Sequence, residues 1–231
     1  MEPWVVTLLS YACCVLVGYL VGSFNPSYLL AKIKGYDIRK KGSGNAGASN
    51  ALILFGKLSG VICALLDIGK AFLVVFVMQR IFDDLPWVYA VTATFCILGH
   101  IFPFYMGFRG GKGLACLAGV ILCYDWRYFL VALAIEIGVA LLSNYICFVP
   151  LTAAVGFPIS YLIMRRDLVG MLILCIASVA VILRHLENLK RIASGTELRL
   201  SYLWNKKKEI DRMKKTTGKS EKDYLIEDDE I

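Results

Sequence analysis

The chain has 231 residues, of which 58% are hydrophobic, and its formal net charge at pH 7 is +7. Its mean hydropathy of +0.65 is higher than a soluble domain of this length needs to build a core, which excludes an ordinary soluble fold. One polytopic membrane domain is therefore predicted, and the excess of positive charge favours an anionic leaflet or an anionic substrate.

Long apolar runs follow one another along most of the chain and predict membrane-spanning helices. Four of the seven runs approach or exceed the ~20 residues that a spanning helix needs, while Leu114–Tyr124 must either borrow Gly111–Gly113 or stay partly embedded. The predicted fold is all-α and integral to the membrane, a polytopic bundle of about seven transmembrane helices, with five helices left as an alternative. The runs are Trp4–Val21, Leu58–Met78, Leu85–Met106, Leu114–Tyr124, Tyr128–Phe148, Val149–Met164 and Leu168–Leu183.

Two pairs of glycines have a spacing that lets helix backbones approach closely. Gly18 and Gly22 lie in the first run, and Gly56 and Gly60 lie at the start of the second. Such pairs mark helix contacts in membranes, but chance explains them about equally well in a glycine-rich membrane protein.

Asp67 and Lys70 are three residues apart on one face of the second predicted helix, well inside its apolar run. Charged groups inside a membrane are costly unless they are paired. We therefore predict a structural ion pair first and a base for a functional site second.

Three glycine-rich basic segments interrupt the apolar chain, and we call them the first, second and third islands. The first island covers residues 39–50, the second covers 109–113, and the third covers 184–188 and continues to 195–197. Glycines expose backbone N–H groups, and lysine, arginine, serine and asparagine add further donors, so each island suits a phosphate group at the edge of a bilayer. The pattern predicts a protein that handles a phosphorylated molecule beside lipid.

The islands are predicted to lie together on the cytoplasmic face. Two crossings separate the first island from the second, and an even number separates the second from the third, whether the bundle has five or seven helices. The islands and their adjoining segments carry ten basic residues, whereas the opposite loops carry four arginines that are offset by aspartates. This positive-inside bias places the islands in the cytoplasm and the N-terminus outside.

The chain does not satisfy three familiar motifs. Residues 42–47 fit G-x-G-x-x-G literally, but a basic triplet precedes them between membrane segments, where a dinucleotide site would need a strand. Lys112 is followed by Gly113 instead of serine or threonine, so the second island is no Walker A loop. His100 and His185 both lack an aspartate five residues on, so the His-x4-Asp pair of common glycerolipid acyltransferases is absent.

The islands instead closely resemble the bacterial acyl-phosphate:glycerol-3-phosphate acyltransferases, the PlsY family. The resemblance spans about residues 18 to 200 and implies seven helices, cytoplasmic motifs, and transfer of a fatty acyl group from acyl phosphate to glycerol 3-phosphate, giving lysophosphatidic acid and phosphate. The matching segments are Gly22-Ser23, Lys34–Arg39, Gly42–Asn50, Leu66–Lys70, Gly99–Pro103, Gly110–Gly113, Arg184-His185 and Asn188–Glu197.

The resemblance supplies the candidate site. Its catalytic candidates are Ser43 and His185, either of which can serve as a donor or weak base near the sn-1 hydroxyl. Backbone N–H groups and Lys112 suit both the phosphate of the acceptor and the leaving phosphate. The predicted substrate-binding residues are Gly42, Gly44, Asn45, Gly47, Asn50, Gly110, Gly111, Lys112, Gly113 and Asn188.

Structural roles remain open for several of these residues. Ser43 and Asn45 can simply hold a tight turn, and Asn50 can cap the second helix. Lys112 can be a lysine that reaches the membrane interface, and His185 can cap carbonyls at a helix end.

The acyl phosphate is already activated, so no cofactor is expected, and the cysteines form no CxxC or Cys/His cluster that would predict a metal site. The expected partners are acyl phosphate, glycerol 3-phosphate and the lipid bilayer, with no nucleic acid. A transporter or binding protein for a small organophosphate is the alternative, since it would need similar residues.

Two further features complete the prediction. The chain departs from the family pattern at Ser49, Cys116, Asn144, Cys147 and Leu186, which leaves the donor preference open. Residues 1–205 are predicted to form the membrane domain, and the charged tail over 206–231, which lacks apolar periodicity, is predicted to be disordered.

Overall fold

The protein is all-helical over residues 2–218, the part of the chain that its computed structural model describes. The apolar runs fold into helices because only a helix satisfies its backbone hydrogen bonds within a single membrane segment. The prediction of an all-α membrane protein is confirmed. The helices are α1 (Pro3–Ser23), α2 (Pro26–Ile33), α3 (Ala48–Phe55), α4 (Lys57–Ile81), α5 (Val88–Ile101), α6 (Leu114–Tyr124), α7 (Trp126–Ser143), α8 (Phe148–Arg165), α9 (Leu168–Ala193) and α10 (Lys206–Thr217).

Each of the seven predicted apolar runs contains a membrane helix, although non-helical residues interrupt Leu85–Met106 at 102–103 and Tyr128–Phe148 at 144–147. Six segments of the described chain are long and apolar enough to cross a membrane. Helix α6 is the exception with 11 residues, about 16 Å of helix against a hydrocarbon core of about 30 Å. It does not borrow the preceding glycines, because Gly113 caps it at a φ of +93°.

Helix α6 can be short because it begins inside the bundle. The Sγ of Cys116, in its first turn, lies 3.7 Å from the carbonyl oxygen of Asp67. Asp67 is ten residues beyond Lys57, the first residue of α4, which corresponds to about 15 Å of helix. The loop before α6 is therefore recessed into the bundle, and α6 has only the remaining depth to cover.

Helices α1 and α5 pack against each other through glycines. A Cβ on Gly22 would overlap the backbone of Cys96, and a Cβ on Gly99 would overlap the backbone of Tyr19. A Cβ on Gly18 would lie 2.9 Å from the carbonyl oxygen of Thr92. The Gly18–Gly22 pair therefore marks a true helix contact.

The second glycine pair has a different role. Gly56 adopts a φ of +87° in the turn between α3 and α4, and a Cβ on Gly60 would overlap Leu52 of α3. The Gly56–Gly60 spacing thus makes a tight corner between consecutive helices, and it joins no second membrane helix.

Helix α5 forms the centre of the bundle, whereas α7 lies at its periphery and has no buried residue. At the end of the bundle away from the islands, five aromatic rings pack together and fill the space between α5, α6, α7 and α8. They belong to Tyr89, Tyr124, Tyr128, Phe157 and Tyr161.

The predicted disorder of the tail is wrong for its described part, because Lys206–Thr217 forms α10. Ile210 and Met213, three residues apart, are both buried, so this helix does have an apolar face. Its two apolar residues are too few to give a periodic signal among the surrounding lysines. Residues 219–231 lie outside the described residues, and the domain boundary after residue 205 stays a prediction.

Candidate active site

The three islands meet in space, as predicted from their spacing along the chain. Arg39 donates from Nη1 to the carbonyl oxygen of Met106 at 2.5 Å, just before the second island. A Cβ on Gly47 would lie 4.0 Å from the Cα of Gly111, so the backbones of the first two islands are in contact. The Nζ of Lys112 in turn donates to Oδ1 of Asn188 in the third island.

Asn50 organises the loop of the first island. Its fully buried side chain donates from Nδ2 to the carbonyl oxygens of Ile38 at 2.9 Å, Lys41 at 3.1 Å and Asn45 at 2.9 Å. Its Oδ1 accepts from the N–H of Ser43 at 2.8 Å. Both ends of the amide are therefore engaged with the backbone, which assigns Asn50 to holding the loop. It does not cap α4, whose N-cap residue is Gly56.

Glycine is required beside Asn50. Gly42 has a φ of +61°, and a Cβ there would overlap Oδ1 of Asn50. Within residues 2–218, the N–H groups of Ser43 and Gly44 are used inside the loop, whereas those of Asn45, Ala46 and Gly47 donate to no protein group. These free N–H groups can bind an anion where the first turn of α3 begins.

Asn25 holds the same loop from the other side, and the sequence analysis missed it. It caps α2 by accepting from the N–H of Tyr28 at 2.8 Å, and it donates from Nδ2 to the carbonyl oxygen of Ala46 at 2.9 Å. The Asn25-Pro26 pair is a helix-start signal, so the cap was readable from the sequence. Its bond to Ala46, 21 residues away, was not.

Asp37 and Arg39 form a rigid support under the first island. Asp37 accepts from the backbone N–H of Arg39 at 3.0 Å and from Nη2 of the same residue at 2.7 Å. These bonds, above all the one to the guanidinium, lower the pKa of Asp37 to about 2. Arg39 is thereby oriented toward the loop before the second island, where it meets Met106.

The second island uses its glycines differently from the prediction. The N–H groups of Gly110 and Gly111 donate to the carbonyl oxygens of Ile101 and His100 at 3.0 and 3.1 Å, so they are not available to a phosphate. The chain turns back on the end of α5 here, which only residues without a Cβ allow. Within residues 2–218, the N–H groups of Lys112 and Gly113 donate to no protein group, and they precede the N-terminus of α6.

Lys112 lies where the second and third islands join. Burial, together with the positive charge of Arg191, lowers the pKa of its ammonium to about 8, although the Glu197 carboxylate acts in the opposite direction. Glu197 also accepts from Nδ2 of Asn188 at 2.5 Å and from Nε of Arg191 at 2.7 Å. Asn188 therefore lies between the ammonium of Lys112 and the carboxylate that orders the third island.

His185 is buried in α9, and its Nδ1 lies 2.8 Å from the carbonyl oxygen of Val181. Because a carbonyl only accepts, the neutral ring carries its proton on Nδ1 and keeps Nε2 as an acceptor. Ser43, the other catalytic candidate, is exposed, and among the described residues its hydroxyl has no protein partner. Within residues 2–218, no hydrogen bond joins Ser43 to His185.

A buried cluster of charged and polar side chains, formed by Asp67, Lys70 and His100, packs against the second island. Nζ of Lys70 lies 2.7 Å from Oδ1 of Asp67 and 3.1 Å from Nδ1 of His100, and it also donates to the carbonyl oxygen of Phe24. The predicted ion pair is confirmed. The His100 ring bears directly on Gly111, where a Cβ would overlap Nε2, so the cluster fixes the base of the site.

Asp67, His100 and Cys116 place possible metal-ligand atoms within 4.8 Å of one another. The ammonium of Lys70 already lies among these groups and supplies the positive charge that the carboxylate needs. This donor set therefore fits a paired lysine better than a metal ion.

The positions that depart from the family pattern have distinct surroundings. Cys116 is buried beside Asp67, and Cys147 is buried at the start of α8. Asn144 accepts from the N–H of Leu200 at 2.8 Å through its carbonyl oxygen, and so binds the segment that leads to α10. Leu186 is 42% exposed on α9.

This geometry agrees with the comparison to known proteins. The family model for glycerol-3-phosphate acyltransferases matches residues 12–195, which include the first two islands and the third as far as Gly195. The chain belongs to the glycerol-3-phosphate acyltransferase family. It is therefore a multi-pass membrane enzyme, and the alternative of an organophosphate transporter or binding protein is not supported.

Curated relatives match over nearly their whole length. The chain is 40% identical over 188 residues to the glycerol-3-phosphate acyltransferase of Thermotoga petrophila, covering 80% of this chain and 94% of that protein. It is 38% identical over 185 residues to the enzyme of Geobacter sulfurreducens, covering 79% of this chain and 94% of that protein. The last part of this chain, after the third island, thus lies beyond the family match.

Two forms of a solved structure have the same fold. The crystal structure of PlsY, an integral membrane glycerol 3-phosphate acyltransferase, in its glycerol 3-phosphate form has a TM-score of 0.77 and 31% identity, covering 84% of this chain and 97% of that chain. Its lysophosphatidic acid form has a TM-score of 0.74 and 30% identity, covering 82% and 95%. The fold and the family are therefore the same as those of PlsY.

Proposed function

We propose that this enzyme transfers a fatty acyl group from acyl phosphate to the sn-1 hydroxyl of glycerol 3-phosphate, giving lysophosphatidic acid and phosphate. The observation that carries the proposal is the position of Lys112. Its ammonium lies where the second and third islands join, next to N–H groups that donate to no other part of the described chain. A half-buried cation among free N–H groups is suited to a phosphate dianion.

The free N–H groups fall into two sets, which matches a reaction with two phosphates. One set begins at Asn45 in the first island, and the other comprises Lys112 and Gly113 in the second. The reaction brings together the phosphate of the acceptor and the phosphate of the donor. Contact between Gly47 and Gly111 places the two sets side by side.

The chemistry follows from the donor. The hydroxyl oxygen of glycerol 3-phosphate attacks the carbonyl carbon of the acyl phosphate, a new ester C–O bond forms, and the C–O bond to phosphate breaks. The hydroxyl proton goes to Nε2 of His185. Lys112 binds the phosphate of glycerol 3-phosphate and, together with the free N–H groups, holds the charge that collects on the leaving phosphate. The exposed hydroxyl of Ser43 in the first island hydrogen bonds to glycerol 3-phosphate and helps to orient it.

No covalent intermediate with the enzyme is needed, because the acyl phosphate already carries a good leaving group. Positioning the two substrates together can itself supply roughly 7–11 kcal/mol of the activation free energy. The sequence has no motif for the adenosine part of coenzyme A, so we expect activity with palmitoyl phosphate and none with palmitoyl-CoA.

The purified protein incubated with palmitoyl phosphate and glycerol 3-phosphate should release lysophosphatidic acid and inorganic phosphate in equal amounts. Palmitoyl-CoA in place of palmitoyl phosphate serves as the matched donor control. Equal rates from the two donors would contradict the proposed chemistry. Phosphate release that does not depend on glycerol 3-phosphate would show hydrolysis instead of transfer.

We further propose that the enzyme lies in the bacterial cell membrane with the islands facing the cytoplasm. Helices α4 and α5 separate the first island from the second, and α6, α7, α8 and α9 separate the second from the third. Both counts are even, in agreement with islands that meet at one side of the bundle. The concentration of basic residues on that side supports the cytoplasmic assignment.

A further inference from the structure

Helix α10 lies beyond residues 12–195, the part of the chain that matches the family model, yet it is bonded to the third island. Arg212 in this helix donates from Nη1 to the carbonyl oxygen of Gly195 at 2.6 Å and from Nη2 to that of Glu197 at 2.7 Å. One guanidinium thus spans both ends of the turn over 195–197. This two-point contact uses the planar geometry that distinguishes arginine from lysine.

A buried carboxylate orients the guanidinium of Arg212. Glu209 accepts from Nε of Arg212 at 3.0 Å and from Nη2 at 2.5 Å, and it also accepts from the backbone N–H of Arg199 at 2.9 Å. Ile210 and Met213, on either side of Arg212, are buried. The arginine is therefore held on both sides, by its own helix and by the turn.

The turn leads directly to the site. Glu197, whose carbonyl oxygen accepts from Arg212, binds Asn188 and Arg191 through its carboxylate, and Asn188 binds Lys112. The bonds form an unbroken chain from α10 to the ammonium of Lys112. Each step is a direct hydrogen bond between groups that are at least partly buried.

We propose that Arg212 is a positioning residue for Lys112, so that the C-terminal helix is a working part of the phosphate site. Arg212 fixes the backbone of the 195–197 turn, the turn fixes the Glu197 carboxylate, and Glu197 aligns Asn188 with the ammonium. The inference rests on the proposed function, because it takes Lys112 to bind the phosphate of glycerol 3-phosphate.

The experiment measures steady-state kinetics of the full-length chain at saturating palmitoyl phosphate with varied glycerol 3-phosphate. Arg212→Ala should raise KM for glycerol 3-phosphate about tenfold and change kcat less than about threefold, because a misplaced binding group weakens substrate binding first. Arg212→Lys should recover part of the loss, since one ammonium cannot reach both carbonyls as a guanidinium does. The control is Lys207→Ala, an exposed residue of the same helix, which should leave both constants unchanged.

A double variant tests the route. If Arg212 acts through Glu197, adding Arg212→Ala to Glu197→Gln should raise KM less than about twofold further. A full tenfold increase in that background would overturn the proposed route.

Two results separate this inference from the proposed function. A wild-type chain that neither turns over nor binds glycerol 3-phosphate overturns both. An active wild-type chain in which Arg212→Ala behaves like Lys207→Ala overturns the positioning role alone. If Arg212→Ala fails to fold, Glu209→Gln tests the positioning role instead, because it loosens the guanidinium of Arg212 without removing it. This variant should raise KM for glycerol 3-phosphate about threefold. An unchanged KM in Glu209→Gln and in Arg212→Lys would then overturn the inference.

Discussion

The Nζ of Lys112 donates a hydrogen bond to Oδ1 of Asn188, which joins two glycine-rich segments separated by 76 residues of chain. The two residues come from distant parts of the chain, one from the loop before α6 and one from the last turns of α9. Their contact concentrates polar groups in an otherwise apolar molecule.

Lys112→Ala should lower the rate at least ~100-fold, as expected when a preorganised charge next to a developing anion is removed. Lys112→Arg should also be impaired, because a planar guanidinium cannot take the place of a compact ammonium between Gly111 and Gly113. The measurement is the rate of lysophosphatidic acid formation in folded protein. Lys40→Ala, an exposed lysine of the first island, is the control and should lose little. Similar losses in the two alanine variants would show that Lys112 is only a membrane-surface charge.

The activity should depend on pH through Lys112. Its pKa of about 8 means that the ammonium loses its proton as the pH rises through this value, so kcat/KM for glycerol 3-phosphate should fall above about pH 8. The Glu197 carboxylate raises this pKa, and Glu197→Gln should therefore move the alkaline limb to lower pH. A pH–rate profile of the two proteins checks the shift. A limb that stays in place or moves to higher pH in Glu197→Gln would be the contrary result.

The same pKa fixes the sign of a stability effect. In the unfolded chain the lysine titrates near its ordinary value of about 10.5, so between about pH 8 and pH 10.5 the unfolded state binds more protons than the folded one. Lys112 therefore makes the free energy of unfolding rise with pH in this window. Unfolding of the wild type and of Lys112→Met, compared at pH 7 and pH 9, should show the larger rise in the wild type.

Asn50→Ala should destabilise the first island and weaken binding of glycerol 3-phosphate together. The substitution leaves the buried carbonyl oxygen of Ile38 without its partner, at a cost of about 1–3 kcal/mol, and it also removes the acceptor of the Ser43 N–H. Thermal unfolding and KM report the two effects. Ser49→Ala, an exposed position of the same island, is the control. A large rise in KM with unchanged stability would instead favour direct contact between Asn50 and substrate.

Gly22→Ala should destabilise the bundle by about 1–3 kcal/mol, because the new methyl group would overlap the backbone of Cys96. The matched control is Gly138→Ala in α7, where no atom lies within 4 Å of the added Cβ. That variant should be neutral or more stable by up to ~1 kcal/mol through helix propensity. Thermal unfolding in detergent, followed by circular dichroism, compares the two. Equal stabilities would mean that α1 can move away from α5 without loss.

Single cysteines at Ser43 and Ser194 in a cysteine-free background should react with a membrane-impermeant maleimide only after the cells are permeabilised. Both positions are exposed and belong to the side that we assign to the cytoplasm. A cysteine at Asp84, in the loop between α4 and α5, is the matched control and should react in intact cells. Reaction of Ser43→Cys from outside would reverse the proposed orientation.

The sequence by itself determined the class of fold and the content of the site. Seven apolar runs predicted the helices of the bundle, since a membrane segment of this length has few other ways to satisfy its backbone. Spacing and charge predicted that three islands meet, and they do. The fold class depends on composition, and the meeting of the islands depends on an even number of membrane crossings between them. Both can be read from the sequence.

Only the tertiary structure decided what individual residues do within that frame. Asn50 holds a loop through four backbone bonds, and the N–H groups of Gly110 and Gly111 are consumed by α5. His100 packs against Gly111 while Lys70, 30 residues away, contacts its ring, and Arg212 reaches the site through Glu197, 15 residues away. Which polar group remains free for substrate depends on every partner within about 3 Å, and that information exists only after the chain has folded back on itself.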